Sequence, residues 1–172
     1  MTSEDVTVSV KTETPLGFAT HDHAHCVSDA LAAAEDQCTE KGLNLTPVRR
    51  KVLELLLQEH RALGAYAILD LLREAGFKSQ PPVAYRALDF LTENGFVHKI
   101  ARLNAFVACV HSSVTHTPAF MICRICETVA EARSAPVKAA LGAAARETGF
   151  QIERISVEAE GVCLNCAGAT SA

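Results

Sequence analysis

Residues 98–126 read HKIARLNAFVACVHSSVTHTPAFMICRIC, and the parsing of the whole chain turns on them. They hold three of the seven histidines and three of the seven cysteines. Together with the preceding Phe96 and Val97, the first half reads as two short strands around a turn at Asn104. His98 then lies on the first strand and Cys109 at the end of the second, so strand pairing can bring them together. The second half ends in a knuckle, Cys123-x-x-Cys126, and a matching pair, Cys163-x-x-Cys166, follows in GVCLNCAG. Each CxxC bends two sulfurs toward one point. Two such pairs complete a tetrahedral thiolate site, with bonds of about 2.3 Å, of the kind that holds structural zinc. A site closed by four cysteines leaves no open position for catalysis. The other readings are free thiols or a redox disulfide. Against a thioredoxin-like motif, which starts a helix after a strand, both pairs are expected at strand ends.

Upstream of the hairpin the period changes to that of helices. Pro81-Pro82 opens PPVAYRALDFLTEN, closed by Asn94-Gly95. Val83, Ala84, Ala87, Leu88, Phe90 and Leu91 form its apolar side; Tyr85, Arg86, Asp89, Thr92 and Glu93 fill the other. A helix over about 65–75 carries Ile68, Leu69, Leu71, Leu72 and Ala75 on one arc, with Tyr66, Asp70 and Arg73 opposite. Thr46-Pro47 starts another, with Val48, Val52, Leu55 and Leu56 inward. The first is expected over about 28–41, capped by Ser28 or Asp29. Three helices, an amphipathic fourth and a hairpin are the order of a winged helix-turn-helix, whose fourth helix enters the DNA major groove. Arg86 is the candidate for a bidentate contact to guanine, and Tyr85 and Tyr66 for base-edge or phosphate contacts. Asp89 and Glu93 on the same face count against this reading, and a merely solvated helix is its alternative.

Charge is divided along the chain, whose net is −4. Residues 1–40 carry eight acidic residues and one basic, whereas residues 41–110 carry ten basic and six acidic, a modest DNA footprint. No run of 18 apolar residues exists and no apolar leader opens the sequence, so the expected compartment is a reducing cytoplasm, where cysteines serve metals before disulfides. Residues 1–26, ending in HDHAHC, are expected as a flexible tail. Beyond about 110, AFMIC and TVAEA read as two strands, Ser134 to Arg146 as an alanine-rich helix, and FQIERISVEAEG as a strand with a slip at Glu153-Arg154. So small a unit is expected to pair with a second copy.

His98, Cys109, His111, His116 and Glu131 remain, and no local motif joins them. LTPVRRKVLELL, AYAILDLLREA, PPVAYRALDFLTENGFVHKI, THTPAFMICRIC and VEAEGVCLNC together resemble the ferric uptake regulator family over about residues 28–166, most closely its zinc branch. Val83-Ala84 departs from the Thr-Val of that pattern. The resemblance implies an α+β chain: a winged-helix DNA-binding domain over 27–110, a hinge over 111–117 and an α/β dimerisation domain over 118–172. It implies two zinc ions per chain, one structural on Cys123, Cys126, Cys163 and Cys166, and one sensory on His98, Cys109, His116 and Glu131. A homodimer binding an AT-rich palindromic operator follows, a repressor of zinc-uptake genes and not an enzyme. One thiolate, one carboxylate and imidazoles suit zinc better than harder octahedral cations. Iron, nickel or peroxide sensing within the same family is the nearest alternative, and a CxxC oxidoreductase a more distant one.

Overall fold

Four helices precede the hairpin in the computed structural model, which describes residues 23–58, 62–78, 80–109, 117–132 and 134–169. They are α1 (His23–Glu40), α2 (Pro47–Gln58), α3 (Ala65–Glu74) and α4 (Pro81–Glu93). The tail expected over 1–26 lies outside the described residues up to residue 22, and α1 begins ahead of the expected start. Thr46 caps α2: its carbonyl accepts from the Arg50 amide at 2.9 Å, and its Oγ1 more weakly from Arg49 at 3.4 Å. The apolar periods close around one core of Val52, Leu56, Ile68, Leu72, Ala84, Leu88 and Leu91. Two apolar positions of α4 are not buried as expected. Val83 is exposed, and Phe90 is half-buried with the Arg49 guanidinium 3.7 Å over its ring.

Gly95, at φ 76°, turns the chain directly from α4 into the hairpin, and the Phe96 amide reaches back to the Leu91 carbonyl at 2.9 Å. The hairpin is the wing: β2 (Val97–Ile100) pairs antiparallel with β3 (Ala105–Ala108), and Asn104 at the turn has φ 45°. A two-residue strand, β1 (Leu63–Gly64), adds to the other edge of β3, giving the order β1-β3-β2. Nothing in the sequence period announces β1.

The second sheet has the order β5-β4-β6, built from β4 (Ala119–Cys123), β5 (Val129–Glu131) and β6 (Val157–Gly161). β5 runs antiparallel to β4. β6 runs parallel to it after a crossover through α5 (Ala135–Thr148). The expected strand over 150–161 is shorter than its alternation suggested. All five residues of β4 pair with Val157–Gly161, which leaves residues 150–156 no strand to join. Phe150 stands 69% exposed as a result.

The wing has two buried faces, which accounts for the burial of every residue of β3. Val97, Phe106 and Ala108 face the helical core. Ile100 and Val107 point the other way and join Phe120, Ile122 and Val129 of the second sheet in a separate apolar cluster. The hairpin is therefore shared between the halves. Among the described residues no helix is long and apolar enough to cross a membrane.

Candidate metal centres and nucleic-acid face

Parallel pairing sets Cys123 at the end of β4 beside Gly161 at the end of β6, and the Arg124 amide donates to the Gly161 carbonyl at 2.9 Å. Glu127, at φ 59°, turns the first knuckle back into β5. Cys163 follows β6 by two residues, and Cys166 lies within α6 (Leu164–Ala169). This corrects one expectation: the second pair sits at the start of a short helix, because the chain coils as soon as β4 is fully paired. The redox alternative loses one argument against it. The stronger one is that the pairs converge on each other: the four sulfurs all lie within 4.8 Å of one another.

Cys126 and Cys163 sulfurs are 3.7 Å apart, and the Cys163 amide donates to Cys123 Sγ at 3.4 Å. Backbone amides, Cys126's foremost and then those of Cys163 and Ile125, pull the Cys123 thiol down to about 6. The Thr128 hydroxyl, 3.2 Å from Cys126 Sγ, lowers that thiol as well. The Cys163 and Cys126 sulfurs push the Cys166 thiol up to about 12. Four thiolates so close repel one another, and a tetrahedral divalent cation relieves that repulsion. The donor set fits structural zinc.

The second cluster draws on both halves. Side chains alternate along a strand, so His98, Val107 and Cys109 all leave the wing toward the second sheet. There Glu131 stands beside Phe120 in the register. One ligand atom from each of His98, Cys109 and Glu131 lies within 4.8 Å of the others, and Cys109 is buried. Nε2 of His98 and Oε2 of Glu131 are buried atoms with no hydrogen bond among the described residues, while each residue keeps another interaction. A cation between them would satisfy both. The Phe120 ring packs 5.5 Å from the imidazole of His98 and fixes its side; no spacing in the sequence pointed to this contact. His116 and His111 lie outside the described residues.

Of the expected DNA contacts, Tyr66 at the start of α3 is 69% exposed, and Tyr85 and Arg86 are exposed on the first turns of α4. Asp89 and Glu93 share that side, and with Tyr85, Thr92, Lys99 and Phe106 they line a cleft between α4 and the wing.

A sequence model described as the Ferric uptake regulator family matches residues 40–160. The chain belongs to the ferric uptake regulator family. Within it, the chain is 42% identical over 139 residues to the Zinc uptake regulation protein of Escherichia coli (strain K12), covering 80% of this chain and 81% of that protein. A solved zinc uptake regulator complexed with zinc and DNA is 39% identical, superposes with a TM-score of 0.81 and covers 85% of this chain and 98% of its own. Holo XcZur, 42% identical, superposes at 0.75 over 81% of this chain and 98% of its own. Apo XcZur, 40% identical, covers 83% and 99% but superposes at only 0.50. At nearly constant identity, the chain superposes better on the holo than on the apo form.

Proposed function

We propose that the chain is a zinc-dependent DNA-binding transcriptional repressor of zinc-uptake genes, acting in the cytoplasm. The observation that carries the reading is the convergence of His98 and Cys109 on the wing with Glu131 on the second sheet. Ligands drawn from both halves make the angle between those halves depend on a metal. His116, in the segment between the halves, completes the sensory set, so each chain holds two zinc ions. The four cysteines bind the other and staple β6 to the first knuckle. Bound zinc supplies a Lewis acid joining an imidazole, a thiolate and a carboxylate; redox chemistry has no part in it.

The residues do the rest. Tyr66, Tyr85 and Arg86 meet the operator, Arg86 at a base edge in the major groove. A homodimer presents two such helices to half-sites of an AT-rich palindrome, separated by about one helical turn, roughly 34–36 Å. Val137 and Leu141 lie four apart on α5, which buries no side chain within one protomer. Phe150 and Ile152, just beyond the helix, are exposed as well, apolar surface suited to burial against a second copy. Cys109 argues against iron as the sensed metal, since thiolate favours softer cations.

The test is binding to a palindromic duplex across buffered free zinc, with iron, manganese and nickel as controls. Binding that rises only with zinc, while one zinc per chain stays bound throughout, supports the proposal. Binding that ignores zinc or follows another metal overturns it.

A further inference from the structure

Glu158 and Glu160 stand on β6, outside both metal clusters. Glu158 receives two successive backbone amides of the wing turn: Ala101 donates to Oε1 at 2.7 Å and Arg102 to Oε2 at 3.1 Å. The Arg102 guanidinium then bonds Glu160 Oε2 at 2.6 Å. The turn is itself closed by the Asn104 amide on the Ala101 carbonyl at 3.2 Å, so its two free amides form a small anion cradle. A carboxylate of the second sheet fills it.

The register shows what this adds. Phe120 is flanked by Glu131 on one side and Glu158 on the other, and Ile122 by Val129 and Glu160. Neighbours across a sheet share a face, so Glu131, Phe120 and Glu158 form one row beneath the wing. At one end of that row Glu131 meets His98 and Cys109, near the base of the hairpin. At the other end Glu158 holds its tip.

We propose that Glu158 and Glu160 are positioning residues that latch the wing tip to the second sheet and hold the halves in the DNA-binding arrangement. The inference rests on the zinc-dependent reading above. The base of the wing is tied through a metal, whereas the tip is tied by the chain alone. The apolar cluster packs the wing between these ties, and ties at both ends fix an orientation that a tie at one end leaves freer to swivel. The latch is closed in the arrangement that superposes at 0.75 on holo XcZur and at 0.50 on the apo form. Because latch and sensory ligands favour the same state, each strengthens the other by linkage.

The experiment uses the full chain with its cysteine-bound zinc in place. Hydrogen exchange at the Ala101 and Arg102 amides reports the latch directly. Chelator competition gives sensory zinc affinity without DNA, and anisotropy gives operator affinity. Glu158→Ala is expected to abolish protection at both amides and to weaken sensory zinc binding about tenfold, as loss of charge-assisted hydrogen bonds at a partly exposed site implies. Glu158→Gln, which keeps the shape, is expected to do so by about half that factor. Arg102→Glu weakens zinc binding and adding Glu160→Arg restores it, a rescue that a general loss of stability would not give. Unchanged protection and zinc affinity in Glu158→Ala, with zinc still driving DNA binding, would overturn the latch alone. A wild-type chain with no zinc-dependent DNA binding would instead overturn the function, while exchange and zinc affinity still decide the latch.

Discussion

Truncating Ile100 to alanine separates the two jobs of the wing. Ile100 is fully buried, and its cluster consists of Val107 from the wing and Phe120, Ile122 and Val129 from the second sheet. It takes no part in the helical core. Ile→Ala in a core costs about 2–5 kcal/mol, and so small a cluster can partly collapse, so about 2 kcal/mol is expected. That loss falls on docking of the halves and shifts the docking equilibrium about 30-fold. Operator binding titrated against free zinc should show the full factor at limiting zinc and a smaller one at saturation, where the metal holds the docked state. Far-UV melting of the helices should change little. Leu88→Ala is the contrast: it is as fully buried but lies in the first core, and it should lower helical melting by several degrees. If Ile100→Ala bound the operator as wild type at every zinc level, or melted the helices as Leu88→Ala does, the shared-wing reasoning would be wrong.

Cys109→Ser should weaken sensory zinc binding by at least about 100-fold while leaving the cysteine-bound zinc in place, as metal content and chelator competition would show. Cys166→Ser should remove one zinc per chain by elemental analysis and dissociate the dimer in sedimentation, since the ion holds β6 to the knuckle. Arg86→Ala should cost about 1–3 kcal/mol of operator affinity and relax the preference at one base pair, measured across a set of substituted duplexes.

The period of α4, the Asn104 turn and the two knuckles were legible because each is a local pattern with one physical solution. The meeting of His98 with Cys109 was legible too, because pairing of adjacent strands follows from a short turn. What sequence could not reveal depended on which surface a strand finds. β6 was read by its apolar phase of Val157 and Ala159, and the chemistry lies on the other phase, at Glu158 and Glu160, which meet residues more than fifty positions earlier. Glu131 carried no signal of its own and was placed by resemblance alone. β1 was invisible because two residues have no period. The helix at the second knuckle was missed because six residues beginning Leu-Asn-Cys carry no amphipathic pattern.

The parallel pairing of β4 with β6 sets an order of assembly during synthesis. Everything that builds the helical half and the wing lies before Cys109, including the pairing of Leu63 with Phe106 that closes β1 onto β3. The central strand of the second half waits for its parallel neighbour, thirty-eight positions later in the register. Domains emerging first from the ribosome fold first. The helical half and the wing are therefore complete while the second half still lacks a strand and two of its four clustered sulfurs. The nascent chain carries two members of the shared cluster, His98 and Cys109, on a finished wing before the sheet that supplies Glu131 has its third strand.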